Sequence, residues 1–77
     1  LKTWPAFFSA TEAGIKPFEM RRDDRQFRVG DVLELCEFDP DGGAYTGRVV
    51  RRRVTYVMRG KPAFGLKAGY VVMGLKP

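Results

Sequence analysis

Lys16, Glu19 and Arg21 set one carboxylate within reach of two cations along a short stretch of chain. Glu19 and Arg21 lie two apart, so on a strand they share a face and can pair. Lys16 has the opposite parity, and Pro17 between them offers a bulge that would correct it. A carboxylate flanked by two cations accepts hydrogen bonds rather than donating them. Beside cations that can meet phosphate, it would read the N–H edge of a base. The same side chains would also make a plain salt-bridged cluster that fixes a helix–strand junction.

A second basic group comprises Arg48, Arg51, Arg52 and Arg53. Arg51 and Arg53 would stand side by side on one strand face, where like charges repel unless solvated or bridged by an anion. Arginine binds phosphate bidentately, so this face is a candidate phosphate contact. Its structural alternative is a wet outer face paired with Glu34 or Glu37. A third group, Arg21, Arg22, Arg25 and Arg28, is diluted by Asp23 and Asp24 and reads as a solvated loop. Arg22 and Arg28 would join a phosphate track if that loop overhangs a cleft.

Bases stack on aromatic rings, each contact being worth ~1–3 kcal/mol. Trp4, Tyr45 and Tyr56 are the stacking candidates, Trp4 because it stands at the start of a helix near Lys16. Phe7, Phe18, Phe38 and Tyr70 are assigned to the core. Nothing in these residue types demands catalysis. The chain has no histidine, and Cys36 lies mid-strand with no evident base. If the chain were an enzyme, Lys16 with a water and Glu19 as base would be the pair to hydrolyse an amide.

These side chains need elements to position them. Trp4-Pro5 opens a short helix, proline being favoured in the first turn. Phe7, Phe8, Ala10 and Thr11 give it an apolar stripe, and Gly14 is the natural stop. From Lys16 to Arg21 the period is two, a strand whose proline places its start at a sheet edge or bulge. Val32 to Phe38 is the next strand. Asp39-Pro40-Asp41-Gly42-Gly43 is a strong turn and predicts a hairpin. The returning strand runs from about Tyr45 to Met58, with Val50, Val54, Tyr56 and Met58 on the core face. That leaves Arg52 pointing inward unless a bulge intervenes. Gly60 to Pro62 reads as a loop and Leu66 to Gly69 as a tight turn before a closing strand, Tyr70 to Leu75. One helix followed by short strands with regular turns predicts a mainly β fold, a small closed or partly closed barrel.

Gly14-x-Lys16-x-x-Glu19-x-Arg21, after a helix and opening a strand, resembles the signature of the ASCH domain superfamily. Further segments are similar to a small branch of it found in phage and bacterial proteins. They are Phe27-Arg28-Val29-Gly30-Asp31, Glu37-Phe38-Asp39-Pro40, Tyr45-Thr46-Gly47-Arg48, Val54-Thr55-Tyr56 and Phe64-Gly65-Leu66-Lys67, the last continuing through Gly69-Tyr70-Val71-Val72. The resemblance implies a PUA-like β-barrel with a cleft between helix and barrel mouth. It also implies a module that binds RNA or a modified nucleotide. Lys16, Glu19, Arg21, Arg22, Arg51, Arg53 and Trp4 are then the expected contacts. A few relatives hydrolyse N4-acylated cytidine. They resemble this chain at Lys16 but carry threonine where it has Glu19, which puts a carboxylate in the nucleophile's place. These relatives make a nucleoside amidohydrolase the alternative, against which Glu19 counts, and a protein-interaction modulator of phage or bacterial type is a second.

The totals bound these readings. Seventy-seven residues allow one domain, 1–77, with a thin core. A composition of 44% hydrophobic and 30% charged residues is that of a folded chain. A net charge of +5 fits a polyanionic partner such as RNA, although solubility alone accounts for such a charge in many small domains. One cysteine and no histidine exclude an intramolecular disulfide and leave no conventional zinc set, so no metal or cofactor is expected. A reducing, cytoplasmic setting fits, since no signal peptide or membrane-spanning run is evident. The chain opens on Leu1 without an initiator Met, which suggests that a short stretch before it has been trimmed or lies outside this chain.

Overall fold

The computed structural model describes residues 1–77. Its elements in chain order are β1 (Lys2–Thr3), α1 (Pro5–Glu12), β2 (Phe18–Arg22), β3 (Val32–Asp39), β4 (Ala44–Lys61) and β5 (Leu66–Lys76), with one 3₁₀ turn at Pro62–Phe64. The strands form a single sheet in the order β1-β3-β4-β5-β2. It curls into a half-barrel, a mainly β fold with one short helix near the N-terminus.

Local chemistry sets most of these boundaries. Pro5 takes the first helical position after the extended Trp4. Gly14 at φ +77° closes the helix, and the amides of Ile15 and Lys16 both return to the Ala10 carbonyl. Phe8 and Thr11 form the buried stripe of α1, whereas Phe7 falls one position off it and faces out. In the β3–β4 turn, Asp39 accepts from the Asp41 amide through its side chain and from the Gly43 amide through its carbonyl.

The core lies on the concave side: Phe27, Leu33, Leu35, Val54, Val71, Met73 and Leu75. Within β4 the inward alternation holds at Val54 and then shifts, because a bulge at Thr55 lets Tyr56 pair with Gly74 on the outer side. Tyr56 is therefore exposed and Val57 packs against the core, correcting the core face expected for this strand. Arg52 does point inward. Its guanidinium ends at the last helical carbonyls, 3.3 Å from Thr11 O and 3.5 Å from Glu12 O.

Two boundaries also differ from expectation. Leu66 to Gly69 is the start of β5 rather than a turn, and β4 continues to Lys61 through what reads as a loop. The glycines that signal a break serve pairing instead. Gly69 takes φ +82°, and a Cβ at Gly60 would lie 2.9 Å from the Ala68 Cα, so the two strands cross closely there. The strand β1, parallel to β3 through Lys2–Cys36 and Thr3–Glu37, has no sequence signal of its own.

Candidate functional site: the seam between the edge strands

The sheet does not close, so β1 and β2 are its two edges. Across the gap between them lies a cleft of about 670 Å³ lined by β1, the start of α1, Lys16, β2 and the segment that follows it. Along β2, the Asp23 amide bonds Gly69 O and the Leu75 amide bonds Pro17 O. Antiparallel alternation then turns the backbone groups of Phe18, Met20 and Arg22 away from β5, toward the cleft.

The inner face of β2 breaks the rule its neighbours obey. Where β3, β4 and β5 present Leu, Val and Met inward, β2 presents Glu19 and Arg21. Glu19 is only 4% exposed. Its Oε1 accepts from Lys16 Nζ at 2.7 Å and its Oε2 from Arg21 Nε at 2.6 Å. Lys16 precedes the strand, so parity does not restrict it; its ammonium also donates to Phe18 O at 2.9 Å. Arg21 goes on to cross the seam, donating through one terminal nitrogen to Lys2 O at 2.6 Å and to Thr3 Oγ1 at 3.2 Å. One side chain thus joins the two edges of the half-barrel. Removing a buried carboxylate from between two cations strands both, so the cluster holds together as a unit.

Aromatic walls stand around this polar floor. Trp4, Phe7 and Phe18 all line the cleft and are each about half exposed. Lys16 Nζ lies 5.0 Å from the Phe18 ring centroid and 5.8 Å from that of Phe7, a cation held between two rings. Trp4 rests edge-on against Phe38 at 5.9 Å. Assigning Phe7 and Phe18 to the core is thereby corrected: Phe18 has the outward parity of an edge strand, and Phe8 takes the buried helix position. Phe38 and Tyr70 are only half-buried.

The chemistry on offer is that of donors. Each Glu19 oxygen already carries one cation, and little of the carboxylate meets solvent. Lys16 uses two of its three N–H groups. Arg21 leaves its second terminal nitrogen without a protein partner. The floor therefore presents unspent N–H groups to an acceptor such as a phosphate or a ring carbonyl, and Glu19 orients them. Lys2, Arg22 and Arg25 add positive charge at the rim, against Asp24 alone.

The structure brings Lys16, Glu19, Arg21, Arg22 and Trp4 to one cleft and leaves two of the candidate residues elsewhere. Arg51 faces Glu34 across the β3–β4 ladder and pairs with it at 2.7 Å in full view of solvent. Arg53 donates to Gly30 O at 2.9 Å. Arg48 bridges Glu12 and the buried Glu37, whose other oxygen accepts from Thr46. Of the expected wet-face pairing, Arg51 with Glu34 forms in solvent, whereas Glu37 is buried and meets Arg48. Lys2 and Thr3 were not legible as site residues, because only the parallel pairing of β1 with β3 carries them to the seam.

No group of metal-ligating side chains occurs in the molecule, and no helix is long and apolar enough to cross a membrane. Among curated proteins, none matches this sequence. One family matches over nearly the whole chain, residues 1–75, so the segments that build β1, α1, the cleft and the sheet all fall within it. The chain belongs to the family described as a domain of unknown function, DUF3850.

Proposed function

We propose that this domain is an ASCH-type module that binds single-stranded RNA or a modified nucleotide in the seam cleft. The observation that carries the proposal is the convergence of Lys16, Glu19 and Arg21 on the floor of a cleft walled by Trp4, Phe7 and Phe18. Rings that stack beside donors that meet phosphate or a ring carbonyl are what a nucleotide requires. The cleft volume is within the range of small-ligand sites. The net charge of +5 adds a long-range attraction for a polyanion.

Hydrolysis of an acylated nucleoside finds less support. Glu19 is spent on two cations, and the one hydroxyl at the floor, Thr3 Oγ1, accepts from Arg21 and lies 3.4 Å from Leu1 O with no base beside it. Titration of a fluorescent single-stranded RNA at two salt concentrations tests the binding reading. Three neutralised phosphates give a log–log slope near −2, so a fourfold rise in salt weakens binding ~20-fold. Lys16→Met should weaken it further at either salt. Binding that ignores salt, or none in low salt, rejects the proposal.

A further inference from the structure

The outer face of the sheet carries a second pattern, which meets the cleft along its β2 edge at Phe18, Met20 and Arg22. Pairing aligns Tyr56, Gly74 and Phe18 in one row across β4, β5 and β2. The next row is Met58, Val72 and Met20, and beyond it Tyr70 pairs with Arg22. Tyr56 is 66% exposed and Met20 59%, while Met58, Val72 and Tyr70 are half-covered. A three-strand apolar face thus stands open to solvent in a chain with few core residues to spare.

Its flanks are cationic on both sides. The row before Tyr56 is Arg53 opposite Lys76. At the far end, the Arg22 guanidinium and the Lys67 ammonium each lie 5.9 Å from the Tyr70 ring centroid. No acidic residue stands on any of these rows. Within the central row, Gly74 supplies no side chain, so the aromatic residues of the outer strands stand two strand spacings apart, ~9–10 Å. The Thr55 hydroxyl covers the glycine, 2.8 Å from where a Cβ would sit. The result is a gap between two aromatic residues with one hydroxyl at its floor.

We infer that this outer face is a stacking platform for a single-stranded nucleic acid, which crosses β4, β5 and β2 before a terminal nucleotide reaches the cleft. The inference rests on the nucleotide reading of the cleft. Bases stack on Tyr56 and Phe18, and the Arg53–Lys76 flank follows the phosphates. Phe18 belongs to both surfaces, since it stands on the outer face of β2 and also walls the cleft. Charge selects this occupant over a second copy of the chain. Both flanks are basic, so any self-docking through this face sets cation against cation.

Two probes keep the platform and the cleft apart: a single mononucleotide, and a 12-nucleotide single-stranded RNA ending in the same base. The platform predicts that Tyr56→Ala weakens the 12-mer ~10-fold and leaves mononucleotide affinity unchanged. Lys76→Glu should weaken the 12-mer alone in the same way. Lys16→Met should weaken the mononucleotide. Both exposed-face variants are expected to keep the wild-type circular dichroism spectrum, which confirms that binding rather than folding is read. If Tyr56→Ala and Lys76→Glu bind the 12-mer as the wild type does, the platform is wrong and the cleft stands. If the mononucleotide fails to bind the wild type, the cleft reading fails by itself. Sedimentation showing a dimer that Tyr56→Ala dissociates would overturn the platform in favour of self-association. Preferential binding to anionic phospholipid vesicles over the 12-mer would overturn it in favour of a membrane.

Discussion

Glu19 is a fixed point rather than a reader. Its two oxygens hold Lys16 and Arg21, and those two cations do different work. Lys16 is anchored by one carbonyl and one carboxylate oxygen, so its loss leaves Glu19 still paired with Arg21. Arg21 also bonds Lys2 and Thr3, so its loss leaves Glu19 with Lys16 alone and releases the β1 edge as well. Lys16→Met should therefore cost ~1.5 kcal/mol of stability and Arg21→Ala ~3 kcal/mol, hydrogen bonds to charged groups being worth ~1.5–3 kcal/mol. Urea denaturation of the two variants measures the difference; equal costs would mean that Arg21 does not hold the seam. The pairing of Glu19 with Arg21 was legible from their spacing of two. The convergence with Lys16 was legible only as a possibility that Pro17 opened, and the crossing to Lys2 and Thr3 not at all. Side-chain reach across a seam depends on sheet curl, which no local pattern encodes.

At the scale of elements, α1 is too short to stand alone and is held along one face and at its C-terminal end. Phe8 and Thr11 bury one face. At the C-terminal end, Arg52 donates to the Glu12 carbonyl and to that of Thr11, which also accepts from the Gly14 amide. An inward-facing arginine looks like an error in a strand until the helix end is placed over it. Arg52→Ala should destabilise by ~1 kcal/mol, within the range for a cation at a helix C-terminus. Its neighbour Arg51, in a fully solvated pair with Glu34, should cost ~0–0.5 kcal/mol when changed to alanine. Thermal unfolding of the pair checks the ranking, and an equal cost would remove the capping role. The helix, the β3–β4 hairpin and the central parts of the two long strands were readable from proline, glycine and period. The bulge at Thr55 was not, and it reversed the faces of Tyr56 and Met58, because a single inserted residue moves every later side chain to the other side. Leu66 to Gly69 misled for a related reason: a glycine at positive φ marks irregular pairing as well as a turn.

Across the whole molecule, the open seam is the organising feature. Five strands in the order β1-β3-β4-β5-β2 curl until the first and last face each other, and the cleft occupies the space where a closed barrel would have further strand pairing. An exposed strand edge invites another chain to pair with it. Here Lys16 caps the Phe18 carbonyl, and Arg21 caps that of Lys2, so both edges are partly occupied by the side chains that furnish the site. Site and edge protection are thus the same few groups. The most direct measurement is a two-dimensional NMR titration of the uniformly labelled domain with a mononucleotide at low salt. The account predicts shifts at the Trp4 indole and at the amides of Lys2, Phe18, Met20 and Arg21 on both sides of the seam, all reduced in Lys16→Met. Shifts confined to the Arg51–Glu34 face, or no shifts at millimolar nucleotide, would contradict it.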